Sequence, residues 1–276
     1  MTDSWWLKFK RAQHHMVDIR REARRYAHSR PYRTVPIRQP HSYDSIHRYR
    51  LDIIEQPDPM IAIMLGDFIH NLRSALDHVV VAATHPRSKR TDAGFPISTE
   101  NLWARDTNRR YIFRDAERRK SFLRAIDGLP PKAQAIVIRA QPYQLPDRAQ
   151  ESILAIISRL ENADKHRELI TIGTGLRWPT VVVTTANGTF IRPPTHFGPN
   201  EFVRDGAEIR LAVPVPFTTN PKVKMEFSGT ASVSIKIAHG GRNQPPSEFK
   251  LDGTMGKALA TVRFLLRLIE PYAVRK

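Results

Sequence analysis

The sequence lacks cysteine and long apolar runs, and we expect no secretory leader. None of the 276 residues is cysteine, which excludes disulfides, thiolate metal sites, iron–sulfur clusters and a cysteine nucleophile. The longest unbroken apolar runs, near 61–65 and 79–83, are far shorter than the roughly 20 residues of a membrane span. The N-terminus, MTDSWWLKFK, has no apolar core of a secretory signal. We therefore expect a cytoplasmic protein, long enough to bury a sizeable core.

Common motifs of catalytic and cofactor sites are absent as well. The chain contains neither the phosphate loop G-x-x-x-x-G-K-[ST] nor a G-x-G-x-x-G after a predicted strand. It also lacks the nucleophile motif G-x-S-x-G and the zinc motif H-E-x-x-H. These patterns mark nucleotide cofactors, serine hydrolases and zinc proteases. We expect no cofactor.

Acidic residues are few relative to basic ones: 27 Asp and Glu stand against 44 Lys and Arg, giving a net charge of +17. Residues 1–50 and 101–150 carry most of the excess. Their basic runs contain Arg20, Arg21, Arg24 and Arg25, and then Arg109, Arg110, Arg114, Arg118, Arg119, Lys120 and Arg124. Clustered cations attract nucleic-acid phosphates, so RNA is a candidate partner. The alternative stays open, because nearby acidic residues allow local helix pairs and a GC-rich genome favours Arg over Lys.

Apolar spacing predicts helices in the first part of the chain and strands after them. Helices are predicted over 4–28, 58–83, 99–106, 110–127, 131–140, 148–166 and 252–270. Strands are predicted over 32–38, 46–55, 168–172, 180–185, 190–192, 208–215, 222–227 and 231–238. Asn187-Gly188 predicts a hairpin turn. This order predicts an α+β fold: a helical bundle, then a mostly antiparallel β region, then a C-terminal helix.

The same elements suggest a division of the chain into four segments. Residues 1–57 hold the first helix and two strands, and residues 58–167 form a helical core with the candidate site. Residues 168–247 form the β region, and residues 248–276 form the C-terminal helix, which packs on the core. We expect the segments to form one compact unit, with the early strands joining the later sheet.

The helix predicted over 58–83 has an unusual polar face. Asp58 is a plausible N-cap, and the apolar residues fall in one arc of the helix. The opposite arc contains no Lys and no Glu, although these are common on solvated helix faces. It consists of Asp67, His70, Asn71, Arg73, Ser74, Asp77 and His78. Such side chains make directed hydrogen bonds and transfer protons, so the arc predicts either a functional cleft or a buried polar network.

A second charged group lies at the end of the helix predicted over 148–166. Asp164 and Arg167 continue the apolar stripe of that helix, where charges are costly unless paired. Asp164 could pair with Arg73, or Arg167 with Asp77, across a helix interface. His166 lies between them and is a further candidate for ligand binding. The alternative is a buried ion pair that fixes helix register.

The segment Arg73-Ser-Ala-Leu-Asp-His78 resembles the R-x4–6-H motif of the HEPN superfamily of helical domains. The wider pattern, HNLRSALDH followed by FPI, QPYQ and NADKHR, is similar to a group of bacterial proteins of unknown function. The HEPN resemblance covers about residues 58–170. It implies a helical bundle related to metal-independent endoribonucleases of toxin and antiviral systems.

This resemblance also implies a mechanism and an assembly. Arg73 would hold the scissile phosphate and His78 would shuttle a proton, with the RNA 2′-hydroxyl as nucleophile. Ser74 or Asn71 would position the substrate or His78. HEPN enzymes usually join two motifs across a dimer, so a homodimer is implied. Positions 73 and 78 lie about 140° apart on a straight helix, so both reach one phosphate only at the edges of a cleft or across a dimer.

Two other classes of function remain open. Asp67 and His70 share a helix face at carboxylate–imidazole spacing, which would suit a metal site completed by His78, Asp164 or His166. Alternatively, the chain is a non-catalytic binding or scaffold module of a defence or regulatory system, with the β region as its recognition surface. The remaining histidines of interest lack partners at ligand spacing and are expected on the surface; they are His14, His15 and His239.

Overall fold

The structure, a computed structural model, describes residues 3–37, 46–86, 92–102, 112–165, 171–185, 188–192, 202–203, 205–212, 224–237 and 247–274. The α+β fold is confirmed, with helices predominating over small antiparallel sheets. The helices are α1 (Ser4–His28), α2 (Met60–Ala83), α3 (Ile112–Ile126), α4 (Pro131–Arg139), α5 (Ile153–Lys165) and α6 (Leu251–Ile269). The strands are β1 (Tyr32–Pro36), β2 (Ile46–Ile53), β3 (Thr171–Thr185), β4 (Gly188–Arg192), β5 (Phe202–Val203), β6 (Glu208–Ala212), β7 (Lys224–Ile237) and β8 (Ser247–Lys250).

The chain divides into two compact units, each built from separate stretches of sequence. The helical unit contains Met1–Ile19, Ala62–Ile170 and Ile237–Lys276. The sheet unit contains Arg20–Ile61 and Thr171–Lys236. The four sequence segments proposed above stay a prediction. No helix among the described stretches is both long and apolar enough to cross a membrane.

The apolar arc of α2 forms the centre of the helical unit's core. Its residues recur at helical spacing, and those with no exposed surface include Leu65, Phe68, Leu72, Leu76, Val79 and Val80. α5 and α6 bury similar stripes, and α6 contacts both α4 and α5. Burying such side chains stabilises a helix far more than its intrinsic propensity does. The polar arc of α2 is thereby held on a rigid element.

Two antiparallel sheets belong to the sheet unit. The smaller has the order β1-β2-β6, with Tyr49 of β2 opposite Ile209 of β6. Leu51 is fully buried beneath it and packs against Tyr32, Tyr49, Ile53 and Ala207. In the larger sheet β3 pairs with β4, β5 and β7. The early strands therefore do join a later one, which among the described strands is β6.

Several element boundaries differ from the sequence predictions. The two strands predicted over 168–172 and 180–185 are one strand, β3, with an irregularity between Arg177 and Thr180. Pro179 lies within this irregularity, where a missing backbone N–H costs no ladder hydrogen bond. Strands predicted over 222–227 and 231–238 are likewise merged in β7. Turn-forming residues were interpreted as strand ends, although the β3–β7 pairing continues past them.

The start of α5 and the structure of the segment 99–106 also differ from the sequence predictions. Residues 146–151 form a 3₁₀ helix, and Arg148 departs from helical dihedrals with φ −132° and ψ 19°. Ser152 is extended and caps α5, since its Oγ accepts a hydrogen bond from the Ala155 N–H at 3.2 Å. The helix predicted over 99–106 is wrong for residues 99–102, which form a bend and a turn. Residues 103–106 lie outside the described residues.

The hairpin after β3 is confirmed by its pairing, in which Thr185 lies opposite Gly188. Asn187 itself lies outside the described residues. The N-cap of α2 is also confirmed, because Oδ1 of Asp58 accepts a hydrogen bond from the Met60 N–H at 2.8 Å.

Candidate functional site

The polar arc of α2 lies at the surface of the helical unit and is not sealed inside it. The His70 side chain is 53% exposed, and those of Arg73 and Asp77 are 21% and 34% exposed. Asn71, Ser74 and His78 are partly exposed. A network closed to water is therefore excluded for these residues, although several of them have protein partners.

Asp77 fastens α2 to the segment that follows it. Its Oδ1 accepts a hydrogen bond from the Phe95 backbone N–H at 2.9 Å, and the same oxygen lies 3.2 Å from Nη2 of Arg73. The segment passes so close that a Cβ at Gly94 would lie 3.1 Å from this oxygen. A larger residue there would crowd the Asp77 carboxylate, so glycine favours the close approach of the backbone. Arg73 pairs with Asp77 on its own helix.

Gln141, which the sequence reasoning missed, holds the other end of the same segment. It is buried with 2% exposure. Its Oε1 accepts from the Ser98 N–H, and its Nε2 donates to the carbonyl oxygens of Pro96 and Val137, all at 2.9 Å. In each bond of Gln141 a polar side chain pairs with a backbone group. In a helix or strand such a group would pair with another backbone group. We call Asp77 and Gln141 with segment 94–98 the loop clamp.

A cleft of about 520 Å³ lies beside the loop clamp. Its lining includes Arg73 of α2 and most of residues 92–102. Arg118, Ser121 and Phe122 of α3 also line it. Two guanidinium groups face it, but both have carboxylate partners: Arg73 pairs with Asp77 and Arg118 with Glu100. The cleft is therefore not a strongly positive pocket.

His70 lies outside this cleft and contacts a buried carboxylate. Its Nδ1 is 3.4 Å from Oε1 of Glu161, and its Nε2 is 3.4 Å from Oγ of Ser74. Glu161 belongs to α5 and is only 4% exposed. Sequence reasoning missed Glu161 as well, since nothing local indicates a contact with a residue 91 positions earlier.

The structure does not bring Arg73 and His78 to one place within a chain. Arg73 lines the cleft, whereas Nδ1 of His78 lies 3.1 Å from Oγ of Ser4, the first residue of α1. His78 is not among the described residues that line the cleft. Asn71 also has a local partner, because its Nδ2 donates to the Asp67 carbonyl oxygen at 2.7 Å.

Three of the predicted site residues lie wholly or partly outside the described residues. His166, Arg167 and the side chain of Asp164 lie outside the described residues, so their predicted pairing with α2 stays a prediction. No group of three His, Asp or Glu suitable for a metal ion occurs in the part of the chain that the structure describes.

His15 was expected on the surface and is instead buried, with 8% exposure. It occupies the inner face of α1 with Ala12 and Ile19, which follow helical spacing. Burial lowers the pKa of His15, and the charge of Arg11 lowers it further, against the opposing effect of Asp67. The neighbouring His14 is exposed as expected, and His239 lies outside the described residues.

Comparisons of the chain with protein families, with curated proteins and with solved structures found no match.

Proposed function

We propose that the chain is a HEPN-like, nucleic-acid-associated protein that binds RNA and does not cleave it. The observation that carries this proposal is the separation of Arg73 and His78. Arg73 is paired with Asp77, which also holds the loop clamp, whereas His78 is bonded to Ser4. An Arg/His ribonuclease needs both side chains at one phosphate, one to stabilise charge and one to move a proton. Within a single chain this arrangement favours a binding module over a ribonuclease.

The surface best suited to RNA phosphates is on α3. Four exposed cations lie on this helix: Arg118, Arg119, Lys120 and Arg124. Glu117 is the one acidic residue among side chains 116–126. Arg118 has a partner in Glu100, and Lys120 lies 3.8 Å from Glu117. Exposed ion pairs of this kind are weak and open readily toward a phosphate.

Binding is tested by titrating fluorescent single-stranded RNA with the full chain between about 50 and 200 mM salt. Each lost phosphate contact reduces the slope of log K against log salt by about 0.7. We expect Lys120→Ala and Arg124→Ala each to reduce the slope by about this amount. Lys257→Ala removes an exposed cation of α6 and should leave the slope unchanged. An equal loss in all three variants, or no binding by the wild type, would contradict the proposal.

Ribonuclease activity is the second candidate, favoured by the partial exposure of both Arg73 and His78 on one helix. It is tested by incubating total RNA with the wild type, Arg73→Ala and His78→Ala, with and without EDTA. Intact RNA throughout supports the binding module. Cleavage that survives EDTA but is lost in both variants would replace it with a metal-independent ribonuclease.

A homodimer is part of the proposal, because HEPN-like proteins usually pair their motifs across two copies. Since one chain separates Arg73 from His78, a shared phosphate site would need a second copy. Light scattering on the eluting protein measures this directly. A mass of one chain at all concentrations would exclude the dimer and, with it, a composite ribonuclease site.

A further inference from the structure

Three side chains outside the cleft stand in the order of a nucleophile, a base and an orienting carboxylate. Oγ of Ser74 is 3.4 Å from Nε2 of His70, and Nδ1 of His70 is 3.4 Å from Oε1 of Glu161. Both distances are long for hydrogen bonds, but such contacts are often loose before a substrate binds. The three residues come from two helices, α2 and α5, which hold them on rigid backbone.

We propose that Ser74 is an activated nucleophile that attacks activated carboxylic esters, with His70 as general base and Glu161 as a positioning residue. The Glu161 carboxylate accepts a hydrogen bond from Nδ1–H of His70, which fixes the tautomer and leaves the Nε2 lone pair facing the Ser74 hydroxyl. This activity goes beyond RNA binding and does not depend on it.

This chemistry requires an accessible nucleophile and base and a buried carboxylate, and the three side chains differ in exposure accordingly. The His70 side chain is 53% exposed and Ser74 is partly exposed, so an ester can reach Oγ from solvent. The Glu161 side chain is only 6% exposed. A hydrogen bond to a carboxylate is stronger where water is excluded, so Glu161 orients the imidazole effectively.

The class of ester follows from what surrounds Ser74. Serine hydrolases stabilise the developing oxyanion with two or more preorganised donors, commonly backbone N–H groups. Ser74 lies inside α2, where backbone N–H groups bond within the helix. Asn71 lies three residues before Ser74, on the same face, and its amide has a second N–H besides the one given to Asp67. With one side-chain donor, only esters with good leaving groups, such as aryl esters, should react.

The reaction balances with water as the only co-reactant. Ser74 Oγ forms a bond to the acyl carbon while its proton passes to Nε2 of His70. The bond from the acyl carbon to the aryl oxygen breaks, and the aryl oxide takes the proton from His70. His70 then takes a proton from water as the water oxygen bonds to the acyl carbon. The bond from that carbon to Ser74 Oγ breaks, His70 returns the proton to Oγ, and the carboxylic acid leaves.

The test uses the full chain with a fluorophosphonate probe and with 4-nitrophenyl acetate, followed by mass spectrometry. The probe should add once, with loss of fluoride, and the modified peptide should contain Ser74. Ser74→Ala should abolish both labelling and the burst of 4-nitrophenol. His70→Ala should slow labelling by about 100-fold. Ser158→Ala is the matched control, because Ser158 is a partly exposed helical serine that has Leu154, not histidine, four residues before it.

The role of Glu161 needs a measurement that a merely structural residue would not affect. Glu161→Gln keeps the shape of the side chain and removes its charge, and we expect slower labelling of Ser74. In a His70→Ala background the same change should have no further effect on labelling, because Glu161 acts through His70. Circular dichroism on every variant verifies folding. Labelling of other serines, or wild-type labelling rates in His70→Ala, would overturn the proposal.

Discussion

The two sides of the α2 polar arc carry similar side chains but make different kinds of contact. On one side Asp77 accepts a short bond from the Phe95 N–H, at 2.9 Å, and pairs with Arg73 at 3.2 Å. On the other side His70 makes two contacts of 3.4 Å and keeps half of its side chain exposed. The first side fixes backbone, whereas the second leaves proton-transferring atoms open to solvent.

A polar helix face therefore predicts directed contacts, but it does not predict whether those contacts fix the backbone or orient a reactive side chain. That depends on the element that packs against each side of the face. A backbone segment faces Asp77, so its carboxylate satisfies an N–H that would otherwise be buried without a partner. A buried glutamate faces His70, so the imidazole is oriented without being enclosed.

The largest effect is expected where the loop clamp is most buried. Gln141→Leu removes the partners of the Ser98 N–H and the Pro96 carbonyl oxygen, which lie in a partly buried segment. Each unsatisfied group costs about 1–3 kcal/mol, so the free energy of unfolding should fall by about 3 kcal/mol. Urea unfolding followed by circular dichroism measures it. Gln144→Leu, an exposed neighbour, should cost less than about 1 kcal/mol; equal losses would show that Gln141 is no clamp.

A smaller loss is expected at the α2 end of the clamp. Asp77→Ala removes the acceptor of the Phe95 N–H and the partner of Arg73, so unfolding free energy should fall by about 2 kcal/mol. Asp77→Asn keeps an oxygen at this position and should lose less than about half as much. The same urea measurement compares the two variants. If Asn and Ala were equally destabilising, the loss would come from the ion pair with Arg73 within α2 and not from the backbone bond to Phe95.

The third effect is the pH dependence of stability that arises from the buried His15 of α1. The charge of Asp67, in the first turn of the polar arc, acts on this histidine. Its folded-state pKa is lowered from 6.5 by burial first and by Arg11 second. Below about pH 6.5 the unfolded chain therefore binds more protons at this site, and stability falls as the pH decreases toward the folded pKa. Urea midpoints at about pH 8 and about pH 5.5 should differ less in His15→Gln than in the wild type. His14→Gln, its exposed neighbour, should retain the wild-type difference.

Long helices with continuous apolar spacing could be predicted from the sequence. α1, α2 and α6 begin and end within about two residues of their predicted limits, because their apolar residues recur every three or four positions along one stripe. The segment 99–106 could not be predicted. Residues 99–102 follow a segment held by Gln141, whose Oε1 binds Ser98 from 43 residues away, and such a contact overrides local preference.

The same limit applies to the candidate site. The sequence indicated the polar arc of α2, and the four-residue spacing already allows Arg73 and Asp77 to pair. The partners of Glu161 and Gln141 could not be found, because they are distant in sequence. The burial of Glu161 did have a signal, since it follows the buried Leu154 and Ile157 at helical spacing. His15 was misassigned for a related reason: a single histidine on an apolar stripe is polar by type but interior by position.

The smallest effect on stability is expected on the side of the α2 polar arc that contains His70 and Ser74. Ser74→Ala removes one contact of 3.4 Å and leaves the contact between His70 and the buried Glu161 in place, so the free energy of unfolding should change by no more than about 0.5 kcal/mol. The penalty stays small because water replaces the lost partner of His70, whose side chain is half exposed. Urea unfolding beside Asp77→Ala gives the contrast directly. A loss as large as that of Asp77→Ala would mean that both sides of the arc are structural, since side chains kept for chemistry contribute little to folding.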